Sequence, residues 1–293
     1  MEHHVKAFRV LMDEGDTNVE PVRNVLVPLN DARLTQFELA LADFTRAIEI
    51  DPKDEDAYRE RGNVYLLQGE LGKAIEDFNK IIDINPGSVF GHYNRGIALL
   101  RKGESERAIA AFTAAINISP DFGHAYGNRG AAYAHKGQHK VALLDLNKAI
   151  ELEPQGAYLY MLRGGVYDAM REYERAIADL SKALETDETF MPAYVGRGSV
   201  YAVQKEYDSA IRDYSRAIEL DPKNADAYLR RSSAYVQKKD YDRGIADLST
   251  AIELDPNNLF YYHRRALAYF VAWCMRDTWA AARPWPVLLL QAD

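Results

Sequence analysis

Residues 191–224 read MPAYVGRGSVYAVQKEYDSAIRDYSRAIELDPKN, and residues 225–258 read ADAYLRRSSAYVQKKDYDRGIADLSTAIELDPNN. The two stretches have the same length of 34 residues and carry an Asp-Pro pair at the same place. The same step relates the dipeptides Asp51-Pro52, Asn85-Pro86, Ser119-Pro120, Glu153-Pro154, Asp221-Pro222 and Asp255-Pro256, and it is interrupted only where Glu188 replaces proline. This period is typical of helical hairpins that bury their apolar faces by stacking on one another. The sequence therefore predicts a long surface rather than an enclosed pocket.

Each repeat carries the pattern of two helices, which we call the A helix and the B helix. Numbered from Glu55 as position 1, most repeats have Tyr at positions 4 and 11 and Gly at position 8, which form one stripe of the A helix. The B helix has Ala at position 20, Phe or Leu at 24 and Ala at 27, and Pro at position 32 is expected to end it. Position 34 is a predicted N-cap, occupied by Asp54, Ser88, Asn224 and Asn258. The complete repeats are 55–88, 89–122, 123–156, 157–190, 191–224 and 225–258.

These positions resemble the tetratricopeptide repeat over residues 35–272. The resemblance implies an all-α fold, a right-handed α-solenoid of stacked antiparallel helix pairs. It also implies that the A helices line a concave groove, with positions 2, 5, 6, 9, 12 and 13 facing a bound partner segment. The expected function is that of a non-catalytic protein interaction scaffold or adaptor.

Candidate groove residues follow from those positions. Asparagine amides both donate and accept, so they suit the main chain of an extended peptide, while the apolar side chains offer pockets. The candidates are Arg59, Asn63, Phe90, Tyr93, Asn94, His124, Asn128, Tyr158, Met161, Arg230, His263 and Arg264.

A second interpretation is a carboxylate clamp for the C-terminal tail of a chaperone. Co-chaperones of this family use Lys and Asn in one repeat, Asn in the next, and Lys and Arg in the third. The matching positions here hold Arg59 and Asn63, then Asn94, then His124 and Asn128. Arg59 and the amides suit a peptide carboxylate, but Asn128 replaces an arginine. Two further alternatives are a regulatory subunit of a separate enzyme and an assembly factor that associates through its ends.

Arginine fills position 7 of every repeat, as Arg61, Arg95, Arg129, Arg163, Arg197, Arg231 and Arg265. Position 23 is aspartate in nearly every repeat, with Ala111 as the exception. The periodic pairing predicts a structural ladder of ion pairs rather than a ligand site.

Composition narrows the function classes further. The net charge of −8, from 36 basic and 44 acidic residues, argues against nucleic acid as the ligand, because phosphate binding requires clustered Lys and Arg. Cys274 is the single cysteine, and Gly137 separates His135 from His139, so no metal site or cofactor is expected. No catalytic constellation, signal peptide or membrane span is recognised, and we expect a cytoplasmic protein.

Both ends depart from the repeat. Pro21 and Pro28 interrupt the A helix expected over residues 21–34, so residues 1–34 are predicted to be an atypical segment or cap preceding a B helix from about Thr35 to Ile50. Residues 273–293 are predicted to be an atypical cap or tail, and a helix extending over residues 270–282 is one interpretation. Trp273, Trp279 and Trp285 there indicate either an apolar end cap or an exposed surface for self-association.

Overall fold

The computed structural model describes residues 31–276, with side chains from Gln36 to Met275. Over that range the chain contains fourteen α-helices and no strand. It divides into two compact units, Met1–Pro154 and Gln155–Asp293.

In unit 1, successive helices pack side by side from α1 to α7. Their bounds are α1 Asp31–Ile50, α2 Glu55–Gln68, α3 Leu71–Ile84, α4 Val89–Arg101, α5 Ser105–Ile118, α6 Gly123–His135 and α7 His139–Leu152. Unit 2 follows the same rule. Its helices are α8 Ala157–Ala169, α9 Tyr173–Thr186, α10 Met191–Val203, α11 Tyr207–Leu220, α12 Ala225–Gln237, α13 Tyr241–Leu254 and α14 Leu259–Arg276. The predicted all-α class of stacked helix pairs is confirmed.

Close packing between the A and B helices explains the glycine at position 8. A Cβ atom added to Gly96 would lie 2.5 Å from the Phe112 ring, and one added to Gly198 would lie 2.8 Å from the Tyr214 ring. Phe112 is fully buried, as are the position 20 alanines of the complete repeats. The small residues therefore set how closely each helix pair approaches.

The predicted arginine ladder is present and contains a third member. Arg61 donates from Nε and Nη2 to Asp77 at 2.9 and 2.7 Å, and from Nη1 to Thr45 Oγ1 of the preceding repeat at 3.1 Å. The hydrogen bond that Arg61 donates to Asp77 raises the pKa of Arg61. Arg129, Arg197 and Arg231 make the same three contacts. Position 25, which the sequence analysis overlooked, thus links adjacent repeats, and its small polar residues are Thr45, Asn79, Thr113, Asn147, Ser181, Ser215 and Ser249.

Helix ends confirm part of the sequence prediction and correct another part. Asp54, Ser88 and Asn224 cap their helices by accepting from backbone N–H groups. Proline at position 32 is not required to end the B helix, because α9 ends at Thr186 although Glu188 follows. There Asp187 adopts an extended backbone and its carboxylate accepts from the Thr189 N–H at 2.8 Å. Asp51, Asn85 and Asp221 make the same contact in repeats that keep the proline, so this side-chain turn, rather than the proline, is common to these helix ends.

The first described helix is longer than predicted, and the last described helix continues without interruption. α1 begins at Asp31 rather than near Thr35, and α14 continues past residue 270 to Arg276. Trp273 is exposed. Pro21, Pro28, Trp279 and Trp285 lie outside the described residues.

Candidate functional site

Exposed apolar side chains of the A helices mark the surface predicted to face a partner. Leu67, Phe90, Val203, Phe260 and Phe270 are all exposed and occupy positions 2, 12 or 13. Within each unit, hydrogen bonds also join successive A helices across this surface. We call the positions 2, 5, 6, 9, 12 and 13 of α2, α4 and α6 the unit 1 face, and those of α8, α10, α12 and α14 the unit 2 face.

Two asparagine amides on the unit 1 face have no hydrogen-bond partner among the described residues. Asn63 is only 5% exposed, and its side chain makes no hydrogen bond to any residue between 31 and 276. Asn94 is half-buried and likewise unpaired over that range. On the unit 2 face, residues at the same two positions touch, because Arg230 donates to Ser199 at 3.1 Å. Repeat equivalence therefore makes Asn63 and Asn94 neighbours.

Asn128 differs from the other two asparagines because its donors are already used. Its Nδ2 donates to the Tyr93 hydroxyl at 3.0 Å and to the His124 carbonyl at 3.1 Å. Tyr93 is buried, and burial raises its pKa, with a further contribution from the Glu153 charge. Tyr93 therefore supports the face from beneath rather than offering an open apolar pocket.

The predicted cations of the unit 1 face are engaged by carboxylates of the chain itself. Arg59 lies 2.7 Å from Asp56 and 3.1 Å from Glu60. His124 Nδ1 lies 2.6 Å from a Glu153 oxygen. A ligand carboxylate would have to compete with these groups.

An aromatic cluster borders the asparagines. Phe90 is 57% exposed and meets the Phe122 ring edge-on at 6.1 Å, while Phe122 packs on Tyr93 at 4.8 Å and stacks with His124 at 5.8 Å. The sequence analysis did not select Phe122. The available signal was that a large ring occupies position 34, where four other repeats carry polar caps.

The unit 2 face combines apolar and basic groups. Tyr158 and Met161 are half-buried on α8. Arg230 donates from Nε to Asp226 at 2.5 Å, and the Ser199 hydroxyl that it contacts also accepts from Tyr214 at 3.2 Å. Ser199 and Tyr214 are residues of this network that the sequence analysis missed.

Arg264 is the less constrained arginine of the unit 2 face. Its Nη2 donates to Ser233 at 3.4 Å, and its guanidinium lies 5.7 Å from the Phe260 ring centre. Phe260 stands where Asp226 stands one repeat earlier. Among the described residues Arg264 has no carboxylate partner, and neighbouring His263 is exposed.

Residues 31–276 contain neither a metal-binding cluster nor a membrane-spanning helix. No cluster of His, Cys, Asp or Glu in that range has the composition of a metal site. None of the helices described there has the length and apolar character needed to cross a bilayer.

Comparison with known families identifies the repeat. Models described as "Tetratricopeptide repeat" match residues 55–88 and 192–224, residues 93–157, and residues 157–190 and 225–258. A model described as "TPR repeat" matches residues 34–69. The chain belongs to the tetratricopeptide repeat family. Tetratricopeptide repeats are protein interaction scaffolds, and this chain is one of them.

Solved tetratricopeptide repeat structures share the fold. A chain of the APC/C hetero-tetramer Cut9-Hcn1 is similar with a TM-score of 0.69 and 20% identity, over 89% of this chain and 51% of that one. The match thus spans about half the length of that relative. Pseudomonas aeruginosa pilF is similar with a TM-score of 0.60 and 20% identity, over 74% of this chain and 99% of that one. The thermophilic protein TTC0263 of Thermus thermophilus is similar with a TM-score of 0.58 and 24% identity, over 62% and 99%. Comparison with the curated proteins gave no match.

Proposed function

We propose that this tetratricopeptide repeat protein is a non-catalytic adaptor that holds an extended segment of a partner protein on its unit 1 face. Asn63 and Asn94 bind the main chain of the segment, and Phe90 contacts one of its apolar side chains. On the unit 2 face, Arg264 is a separate contact for an acidic side chain of a partner.

The unpaired amide of Asn63 carries this proposal. Asn63 is 5% exposed, and its amide atoms reach solvent, so they are available to a ligand rather than sealed in the core. A peptide main chain offers one donor and one acceptor per residue, which match the oxygen and nitrogen of the amide. A bound main chain would therefore replace water at this amide with directed hydrogen bonds.

The exposed ring of Phe90 supports an internal peptide segment as the ligand. Apolar burial contributes about 25 cal/mol per Å², and the Phe122 ring beneath Phe90 holds it in place. Amides that bind the main chain and a ring that binds a side chain together suit an extended segment.

The carboxylate clamp is the alternative that shares Asn63 and Asn94. It requires free cations, whereas Arg59 contacts Asp56 and Glu60, and His124 contacts Glu153. A chaperone tail would have to displace these carboxylates, so we favour the internal segment. If the partner is an enzyme that the adaptor regulates, a stable co-purifying activity identifies it.

Peptide binding tests the proposal. A fluorescent peptide library, in free-acid and C-terminally amidated forms, is titrated with the wild-type chain and with an Asn63→Ala, Asn94→Ala double variant. We expect the double variant to bind at least about tenfold more weakly, a change of about 1.4 kcal/mol, with both peptide forms affected equally. Asn117→Ala is the matched control, because Asn117 is exposed on a B helix.

Two other outcomes have definite meanings. Binding that requires the free carboxylate supports the chaperone-tail alternative instead. Peptide binding that is unchanged in the double variant overturns the assignment to the unit 1 face.

A further inference from the structure

The first and last described helices are each half of a repeat. α14 is an A helix, and no B helix follows it among the described residues. α1 is a B helix, and no described A helix precedes it. The described residues therefore begin with a B helix that has no A helix and end with an A helix that has no B helix.

The face of α14 that would meet a B helix is open. Tyr262 and Tyr269, at positions 4 and 11, are 41% and 55% exposed, and Ala266 at position 8 is exposed between them. In complete repeats these positions are largely covered by the B helix, as Tyr58 and Tyr167 show. α14 therefore presents an apolar stripe shaped to receive a B helix.

The residues of α1 that would face an A helix are less buried than their equivalents in the next repeat. Ala40, Phe44 and Ala47, at positions 20, 24 and 27, are half-buried, whereas Ala74 and Phe78 at two of these positions in the next repeat are fully buried. These residues are the ones that a B helix normally turns toward its A helix.

The arginine ladder is incomplete at the same two helices. Arg265 donates to Ser249 at 3.1 Å and lies over the Tyr262 ring, but it has no carboxylate partner in the described range. Asp43 is exposed, whereas the equivalent Asp77 is only 4% exposed and is bound by Arg61. In sequence, the ladder partner of Arg265 would be Ala281 and that of Asp43 would be Val27. Among the described residues, Arg265 on α14 thus lacks a carboxylate partner, and Asp43 on α1 lacks an arginine partner.

We propose that α1 of a second copy of this chain docks on α14 of the first and completes a repeat between molecules. Asp43 of one copy accepts from Arg265 of the other, and Phe44 covers Ala266 between Tyr262 and Tyr269. The interface joins two different surfaces, so each added copy keeps one free helix of each kind and association continues beyond two copies unless a ring closes. Position 7 and the unit 2 face lie on different sides of α14, so the interface is independent of peptide binding.

Sedimentation of the full chain over a wide concentration range tests the interface. We expect the average mass of the wild type to rise with concentration. Arg265→Glu alone places two carboxylates against each other, and Asp43→Arg alone places two arginines together, so each variant should associate at least about tenfold more weakly. An equimolar mixture of the two variants restores opposite charges at both kinds of contact, and its mass should again rise.

Matched controls separate this interface from general charge effects. Arg264→Glu changes the neighbouring residue on α14, and Glu38→Arg makes a charge reversal on another face of α1, and both should associate like the wild type. Tyr269→Ala removes an exposed ring and should weaken association without unfolding the chain, as circular dichroism would report. A wild type that stays monomeric overturns the proposal, as does a mixture that behaves like its separate components.

Discussion

At the scale of single residues, the same side chain has different roles in different repeats. Asn63 is buried without a hydrogen bond to the described residues, whereas both donors of Asn128 are used by Tyr93 and by the His124 carbonyl. Arg61 is fully paired, but the Nε of Arg95 is buried without a partner in the described range, because Ala111 replaces the aspartate. Which groups are left unpaired therefore distinguishes one repeat from another.

Asn63→Leu should separate stability from binding. Leucine has a similar size and removes an amide that reaches solvent in the free protein, so the free energy of unfolding should change by less than about 1 kcal/mol, while peptide binding is lost. Urea unfolding and peptide titration measure the two effects. A variant destabilised by more than about 1 kcal/mol would mean that the amide makes a stabilising hydrogen bond in the free protein.

Ala111→Asp should complete the ladder in the second full repeat. Burial lowers the pKa of Arg95, with a smaller contribution from Arg107, so a facing carboxylate would stabilise a charge that is now poorly compensated. We expect the free energy of unfolding to rise by about 1.5–3 kcal/mol, the range for hydrogen bonds to charged groups. Thermal or urea unfolding measures it. Ala111→Asn is the control, and an equal gain from that neutral side chain would contradict the electrostatic explanation.

At the scale of helices, the turns between A and B helices differ between the two units. In unit 1 the turn residue with positive φ is glycine, at Gly69, Gly103 and Gly137. In unit 2 the same position is Arg171, Lys205 and Lys239, with φ between 62° and 65°. A side chain in this left-handed region costs about 1–2 kcal/mol, so the second unit bears strain that the first avoids.

Lys205→Gly should therefore stabilise the chain. Relief of the left-handed strain is offset in part by the greater freedom of glycine in the unfolded chain, so we expect a gain of about 0.5–1 kcal/mol in urea unfolding. Lys205→Ala removes the charge but keeps the Cβ atom, and it should give no comparable gain. Equal gains from both substitutions would assign the effect to charge instead.

At the scale of the whole molecule, stability is distributed along the chain. Each repeat contacts its neighbours, so the free energy of unfolding is approximately a sum of repeat and interface terms. Damage in one unit is therefore expected to remain largely local.

Phe112→Ala should show this locality. Phe112 is fully buried in unit 1, and its truncation is expected to cost about 3–5 kcal/mol. Hydrogen exchange should lose protection mainly within residues 31–154, and Leu248→Ala should give the reverse pattern within residues 155–276. Equal loss of protection in both units after either substitution would show that the chain unfolds as a single cooperative body.

The sequence by itself determined the repeat length, the pairing of A and B helices, the glycine at position 8 and the ladder of Arg and Asp. These features depend on contacts within one repeat or between equivalent positions, so a fixed period reveals them. It did not reveal position 25 as a ladder member, although the period carried the signal, nor that a B helix ends at the same place where Glu188 replaces proline.

Only the tertiary structure decided which groups of the candidate site are free. The sequence selected Arg59, His124 and Asn128 as equals of Asn63 and Asn94, but the first three are engaged by other groups of the chain. Those contacts join non-periodic residues, such as His124 and Glu153 or Asn128 and Tyr93, and they depend on how particular side chains pack between neighbouring helices. Whether a polar side chain has a hydrogen-bond partner depends on that packing, and no repeating pattern in the sequence predicts it.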